Sequence, residues 1–341
     1  MAHMTKEKME QLTVPLPPLA EQHRIVAKVD ELMGLLDQIE ARQTAREATR
    51  RQLTTASLAR LSTSDTSPDD FRDHARFLLD HLPAHTNSPE QVRQLRRKII
   101  ELAVIGALSS EVSERTADRA STITLDSMTL KVPPEWKVGT LSDAISDGPQ
   151  NGISPKKSDV KSGPKSLTLT ATTSGKLDVS FHKHIELSTQ DAEKYWLQPG
   201  DLLFQRGNTR EYVGMAAIYD GPEKEFVFPD LMIRVRLKPG INLRFMHLWC
   251  ISPAAREYFS RNASGAQETM PKINQRILLD LPIPLPTLKE QEIIVAKVDE
   301  LMTLCDHLDA ALDRAETSRT RLLDAELHAA LDNREPSELA A

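Results

Sequence analysis

Cysteine is nearly absent. The 341 residues contain only Cys250 and Cys305, with no spaced Cys/His set around them. A disulfide framework and a cysteine-based zinc site are both excluded, and the usage suits a reducing compartment. No apolar run reaches the ~18 residues a membrane span needs, and no secretory leader pattern appears. Met1-Ala2-His3-Met4 reads as a tag remnant. The expectation is a soluble, cytoplasmic protein with no membrane association. Neither charge sign dominates: the net charge is -6, too mild by itself to announce a nucleic-acid partner.

Chemistry-bearing motifs are missing as well. The Pro-Pro pairs, Pro17-Pro18 and Pro133-Pro134, lack both the Asp or Asn before them and the aromatic after them that would hold a flipped adenine. No Gly-x-x-x-x-Gly-Lys-Ser/Thr loop exists to cradle nucleotide phosphates. Pro229-Asp230 is not followed by the Asp/Glu-x-Lys of a nuclease, and His182 and His184 share a strand face without an evident third metal ligand. No catalytic residue and no metal site are expected.

What is present occurs twice. Residues 14–37 and 283–306 match at a constant offset of 269, and Ile25–Met33 recurs unchanged as Ile294–Met302. The period is far too long for a solenoid, so one helical element has been used twice around different content. Each copy begins with a proline-spaced lead-in that cannot be helix. In the second copy Thr287 and Glu290 form a capping box; the first keeps Glu21 but has Pro18 in place of the threonine. Apolar residues then follow at steps of four and three: Ile25, Val29, Leu32, Leu36 and Ile39, and likewise Ile294, Val298, Leu301, Cys305, Leu308 and Leu312. That spacing is the narrow seam of a coiled coil. One such seam alone reads as an ordinary packed helix, but two matching seams predict mutual, antiparallel pairing.

In chain order, residues 1–17 are expected to be the tag remnant and the tail of a preceding, absent domain. Residues 18–62 hold the first long helix, and 63–128 hold shorter helices at 70–82 and 89–108 followed by a Ser/Thr-rich linker. A separate domain occupies 129–287, and 288–341 hold the second long helix and a tail. The composition changes sharply near Pro133: all three Trp, all four Tyr, six of eight Phe and eleven of thirteen Gly fall within 131–281. That region carries 20 Lys and Arg against 17 Asp and Glu, so the rest of the chain holds the acidic excess. Strand patterns at 166–173, 201–205, 214–219 and 226–237, with a helix at 243–260 kinked near Pro253, predict a mixed α+β domain. The basic run Gln91–Lys98 reads as a solvated helix face or as a surface for phosphate or a partner.

The candidate binding stretch is 148–183. Lys156, Lys157, Lys161 and Lys165 supply the charge that phosphates attract, and glycines such as Gly148 and Gly152 would let the backbone approach a ligand. Gln150, Asn151, Thr168 and Thr170 are types that reach base edges. A second cluster, Arg206, Asn208 and Arg210, follows a strand. Residue types alone favour a solvated loop over a binding surface.

Several motifs together resemble the specificity subunit of type I restriction-modification enzymes. They are Pro-Leu-Pro-Pro-Leu-Ala-Glu-Gln with Ile-Val-Ala-Lys-Val-Asp-Glu-Leu-Met, repeated around one variable domain, and Pro134-Glu135-Trp136-Lys137-Val138-Gly139-Thr140-Leu141, like a target-recognition domain's opening. Pro199–Asn208 and Pro271-Lys272-Ile273-Asn274-Gln275 are similar to its internal and closing signatures, and Gln94–Gly106 to the central conserved region. The resemblance implies a non-catalytic subunit in which a recognition domain reads a half-site of a bipartite target and an antiparallel coiled-coil spacer scaffolds the assembly. It adds Lys272 to the candidate DNA contacts and favours DNA over the solvated loop. It further implies double-stranded DNA, methyltransferase and restriction subunits, and a second copy of the chain as partners. S-adenosylmethionine, ATP and Mg would be held by those subunits, with none in this chain. The family normally carries two recognition domains; one is present here, so the chain is expected to be a fragment or a shortened subunit. The alternative class is a coiled-coil assembly protein whose middle domain binds protein.

Overall fold

Side-chain caps set most of the helix boundaries in the computed structural model, which describes residues 16–60, 77, 88–108, 121–126, 128–159, 163–264 and 270–332. The chain divides into two units, Met1–Ser62 and Thr63–Ala341.

Among its described residues the first unit holds one helix, α1 (Leu19–Arg60), of 42 residues, about 63 Å at 1.5 Å per residue. Gln22 Nε2 donates to the Pro17 carbonyl at 2.7 Å and so anchors the proline lead-in to the first turn. The seam residues Ile25, Val29, Leu32, Leu36 and Ile39 are each about half exposed, between 47 and 53%.

In the second unit, Ser88 accepts from the Gln91 amide and Pro89 occupies the first turn of α2 (Pro89–Val104). The expected helix at 70–82 lies outside the described residues, apart from Phe77. Part of the expected linker is instead a hairpin, β1 (Ser121–Leu125) with β2 (Met128–Val132). Its alternating Thr and Ile/Leu residues bury Ile123 and Leu125 on one face, the strand pattern that a Ser/Thr-rich composition concealed. Strands β3 (Lys137–Thr140), β4 (Ile145–Asn151), β5 (Lys165–Leu167), β6 (His182–His184), β7 (Leu202–Gln205), β8 (Ala216–Ile218), β9 (Phe226–Val227) and β10 (Met232–Leu237) follow. The predicted strand 166–173 is therefore shorter than expected, because Leu169–Thr172 turns as a 3-10 helix. The helix predicted across 243–260 is two helices, α3 (Leu243–Ile251) and α4 (Pro253–Asn262), with Ser252 capping the second directly before Pro253. After α5 (Gln275–Leu279) and β11 (Pro282–Leu285), the chain enters α6 (Leu288–Asp332), where Thr287 Oγ1 accepts from the Glu290 amide as its spacing predicted.

The central sheet has the order β4-β10-β7-β8, antiparallel throughout, with Met232 opposite Gln205 and Ile233 opposite Asn151. A second sheet, β6-β5-β9, joins β5 and β9 in parallel. Leu167, Leu197, Leu203, Tyr219, Phe226, Phe228 and Met232 form the apolar layer that both sheets share. On β10, Arg234 and Arg236 reach Asp147 and the buried Asp201, pinning β4 and the turn before β7 to the middle strand. The other flank is closed by α3 and α4, where Trp136 meets Phe245 edge-on with centroids 6.1 Å apart.

The start of α6 packs on α2 and α3. Ile294, Val298, Leu301 and Cys305 are at most 2% exposed, as are Val92 and Ile99, with Leu95 at 4%. Arg96 forks to Asp306 at 2.7 Å and Asp309 at 2.8 Å. Arg244 on α3 reaches Asp299 at 2.7 Å, and Gln291 Oε1 accepts from the Asn242 amide. Two details could not be read from the sequence. The first four seam residues of the second helix are covered inside their own unit, since α2 carries apolar residues at the complementary 3-4-3 spacing. In the basic run 91–98, Arg96 is neither solvated nor aimed at a phosphate; it clamps α6. Leu308 and Leu312 are half-buried farther along.

Candidate nucleic-acid interface

Antiparallel pairing brings the end of β4, the start of β10 and the end of β7 to one end of the central sheet. The loops leaving there come from distant parts of the chain and are stitched by backbone hydrogen bonds. Ile153 N–H donates to the Phe228 carbonyl, Arg206 N–H to Leu231, Asn208 N–H to Pro271 and Ile273 N–H to Arg206. Side chains continue the stitching: Ser154 Oγ donates to Asp230, Arg206 to the Asp230 carbonyl at 3.3 Å, and Gln275 Nε2 to Asn151 Oδ1 at 3.4 Å. Four segments, 151–157, 206–210, 230–231 and 270–275, thus share one rim.

The predicted contacts divide between this rim and the interior. Asn151, Arg206 and Lys272 lie on the rim, with Lys272 paired in isolated bridges to Gly207 and Ser264. Lys156 and Lys157 are exposed and continue from it along the edge of β6, where the Glu186 amide donates to the Lys156 carbonyl and Lys157 bridges Ile185. Thr170 is exposed on the 3-10 turn. Arg210 is exposed, with one guanidinium nitrogen on the Ser260 carbonyl at 2.8 Å. Lys161 lies outside the described residues.

Four candidates are spent on internal structure. Gln150 donates to the Lys194 carbonyl at 2.7 Å and accepts from Arg234 at 2.6 Å. Lys165 pairs with Glu225, its ammonium 5.3 Å from the Phe226 ring centroid. Thr168 donates to the Phe181 carbonyl. Asn208 donates at 2.6 Å to the buried Gln205 and accepts from the Thr209 amide at 2.7 Å. Gln205 in turn donates to the Leu169 carbonyl and Thr172 Oγ1, both at 3.0 Å. Asn208 therefore locks the 206–210 loop onto the 3-10 turn. Short polar side chains in turns satisfy their own backbone as readily as a ligand, and sequence cannot separate the two.

Gly152 also has a nearer purpose than approach to a ligand. A Cβ there would lie 2.1 Å from the Phe228 carbonyl oxygen and 2.3 Å from that of Pro229, so the chain's own backbone fills the space. Sequence reasoning passed over Ser154, Asp230 and Gln275. Gln275 carried a signal, being the last residue of a five-residue signature whose Asn274 caps α5.

The rim is polar and mixed in charge, with cations at Arg206, Lys272, Lys156 and Lys157 and the acid of Asp230. It offers hydrogen-bonding side chains from several segments and cations along one border. This suits an extended anionic ligand better than a small molecule held in a cleft. Among the described residues no group of His, Cys, Asp and Glu could hold a metal ion, and no helix is long and apolar enough to cross a membrane.

The model of the type I restriction modification DNA specificity domain matches residues 1–48 and 133–313. The specificity subunit of the type I restriction enzyme EcoEI from Escherichia coli is 24% identical over 95% of this chain and 59% of its own length. That of EcoKI, from Escherichia coli K12, is 23% identical over 89% of this chain and 53% of its own. The chain thus spans a little over half the length of these relatives. A chain solved in a study of complex assembly and conformational transition of the type I R-M system superposes with a TM-score of 0.51 at 17% identity. It covers 92% of this chain and 59% of that one, and shows the same fold.

Proposed function

The chain belongs to the family of the type I restriction modification DNA specificity domain, and from that premise we propose that its 129–287 body reads one half-site of a bipartite duplex DNA target. The observation that carries this reading is the rim, where four segments distant in sequence converge and present cations and amide side chains together. In this reading Lys156, Lys157 and Lys272 hold phosphates, while Asn151, Gln275 and Arg206 face base edges. Asn and Gln suit adenine and Arg suits guanine. Gln150, Lys165, Thr168 and Asn208 support the rim from behind.

The chain itself carries out no reaction in this reading. It positions methyltransferase subunits, which bring S-adenosylmethionine, and restriction subunits, which bring ATP and Mg. The two long helices act as a spacer.

Binding to short duplexes tests the proposal. A single half-site supplies only part of a full target's contacts, so affinity should be modest and fall steeply with salt. Selection from a random duplex pool should enrich one short sequence motif. Binding that ignores DNA sequence and salt, with a protein ligand captured at the same rim, would replace this reading with that of a protein-binding scaffold.

A further inference from the structure

The rim carries one apolar element among its polar side chains. In the 129–287 body, Val138, Phe181 and Met270 are the exposed large apolar side chains among the described residues, and of these Met270, 46% exposed, belongs to a rim segment. A single exposed apolar side chain is ordinary, but Met270 has company. A Cβ on Gly207 would lie 3.1 Å from Lys272 Cγ, 3.2 Å from Leu231 Cδ2 and 3.3 Å from Met270 Sδ. Gly207 is not among the glycines with positive φ, so its turn does not call for glycine. The missing side chain is what lets the thioether, the half-buried Leu231 and the lysine stem close together over the backbone between Arg206 and Asn208. That backbone is held on both sides, since Asn208 N–H donates to the Pro271 carbonyl and Ile273 N–H to the Arg206 carbonyl. A small apolar patch is thus fixed in the middle of the hydrogen-bonding residues.

We propose, resting on the DNA reading of the rim, that the Met270–Leu231 patch over Gly207 reads the C5 methyl of a thymine in the half-site. In the major groove that methyl is the one apolar group a base pair presents, and it lies in the same groove as the adenine and guanine edges that suit Asn151, Gln275 and Arg206. Polar readers leave the methyl uncontacted, and the patch supplies the surface that they lack. Met270 is therefore a specificity-determining residue, with Gly207 making room for it.

The test uses the short duplex recovered by selection on the full chain, with each of its thymines replaced in turn by deoxyuridine. That replacement keeps every hydrogen-bonding group and removes only the methyl. At one position affinity should fall about threefold, the worth of one methyl moved from water onto an apolar surface. Met270→Ser should bind the parent duplex more weakly by the same factor and no longer distinguish thymine from deoxyuridine there, with the slope of log K against log salt unchanged. Met270→Leu, which keeps an apolar side chain, should retain the discrimination. A misfolded variant would instead lose all duplexes together. Deoxyuridine tolerated at every position, or a selected motif without thymine in either strand, would overturn the proposal while leaving sequence-selective DNA binding intact. Discrimination that survives Met270→Ser would also overturn it, by placing the methyl on another side chain. Absence of any sequence-selective duplex binding would remove this proposal and the DNA reading together.

Discussion

Leu32 and Leu301 sit in the identical nonapeptide Ile-Val-Ala-Lys-Val-Asp-Glu-Leu-Met, one 49% exposed and the other 2%. Truncating each to alanine compares the same side chain in the same helical context, so propensity and nearest-neighbour effects cancel. At Leu301 the loss comprises the transfer free energy of a buried leucine and the cavity left between α6 and α2, together about 2–5 kcal/mol. At Leu32 half the side chain is already in water and no cavity can form. The remaining burial contributes under about 1 kcal/mol, offset by alanine's better helix propensity. All three tryptophans lie in the second unit, so urea unfolding followed by tryptophan fluorescence reads that unit directly. Leu301→Ala should lower its stability by about 3 kcal/mol, worth roughly 6–12 °C in Tm for a body of this size. Leu32→Ala should leave it within about 0.5 kcal/mol of the parent. Equal effects of the two substitutions would refute the assignment of α2 as the cover of the second seam.

Changing Lys156 and Lys157 together to alanine should weaken binding to all duplexes alike and flatten the slope of log K against log salt by roughly one to two units; an unchanged slope removes that edge from the interface. Gly152→Ala drives a methyl into the 228–229 backbone and should destabilise by roughly 2 kcal/mol or more, measured by the same urea titration. Burial pushes the Cys305 thiol up to about 11 and Cys250 higher still. At pH 8 the reactive thiolate of Cys305 is then roughly a hundredfold scarcer than in the unfolded chain. Iodoacetamide should label both cysteines in urea and neither quickly in the native protein, and rapid native labelling of Cys305 would contradict its packing. Four residues inserted near Gln43 and four more near Leu312 should lengthen a helical spacer by about 6 Å. Methylation mapping with the partner methyltransferase should then show unchanged half-sites separated by nearly two more base pairs, and a fixed gap with activity retained would mean the helices do not set the spacing.

Local order was legible in the sequence because local physics produces it. The repeat, the proline lead-ins, the caps at Ser88 and Thr287, the 42- and 45-residue helices and the compositional change near Pro133 all follow from neighbours a few residues apart. Helix capping, fixed proline φ and apolar spacing act at that range. The mixed α+β class followed from the same signals. Three things needed the tertiary structure. The seam pattern of the second helix specified that something apolar must cover it but not what; α2, about 200 residues earlier in sequence, was selected by complementary spacing and by the Arg96 fork. The rim exists only because antiparallel pairing brings 151, 206, 230 and 272 to one sheet end, and no local pattern encodes that meeting. The division of polar side chains into supports and candidate contacts was likewise non-local. Asn208, in the turn after β7, and Asn151, at the end of β4, are the same residue type, yet Asn208 is drawn inward by Gln205, which would otherwise be buried with an unmet acceptor. A buried polar group demands a partner wherever the fold places one, so tertiary packing decided which amides remain available to face a ligand.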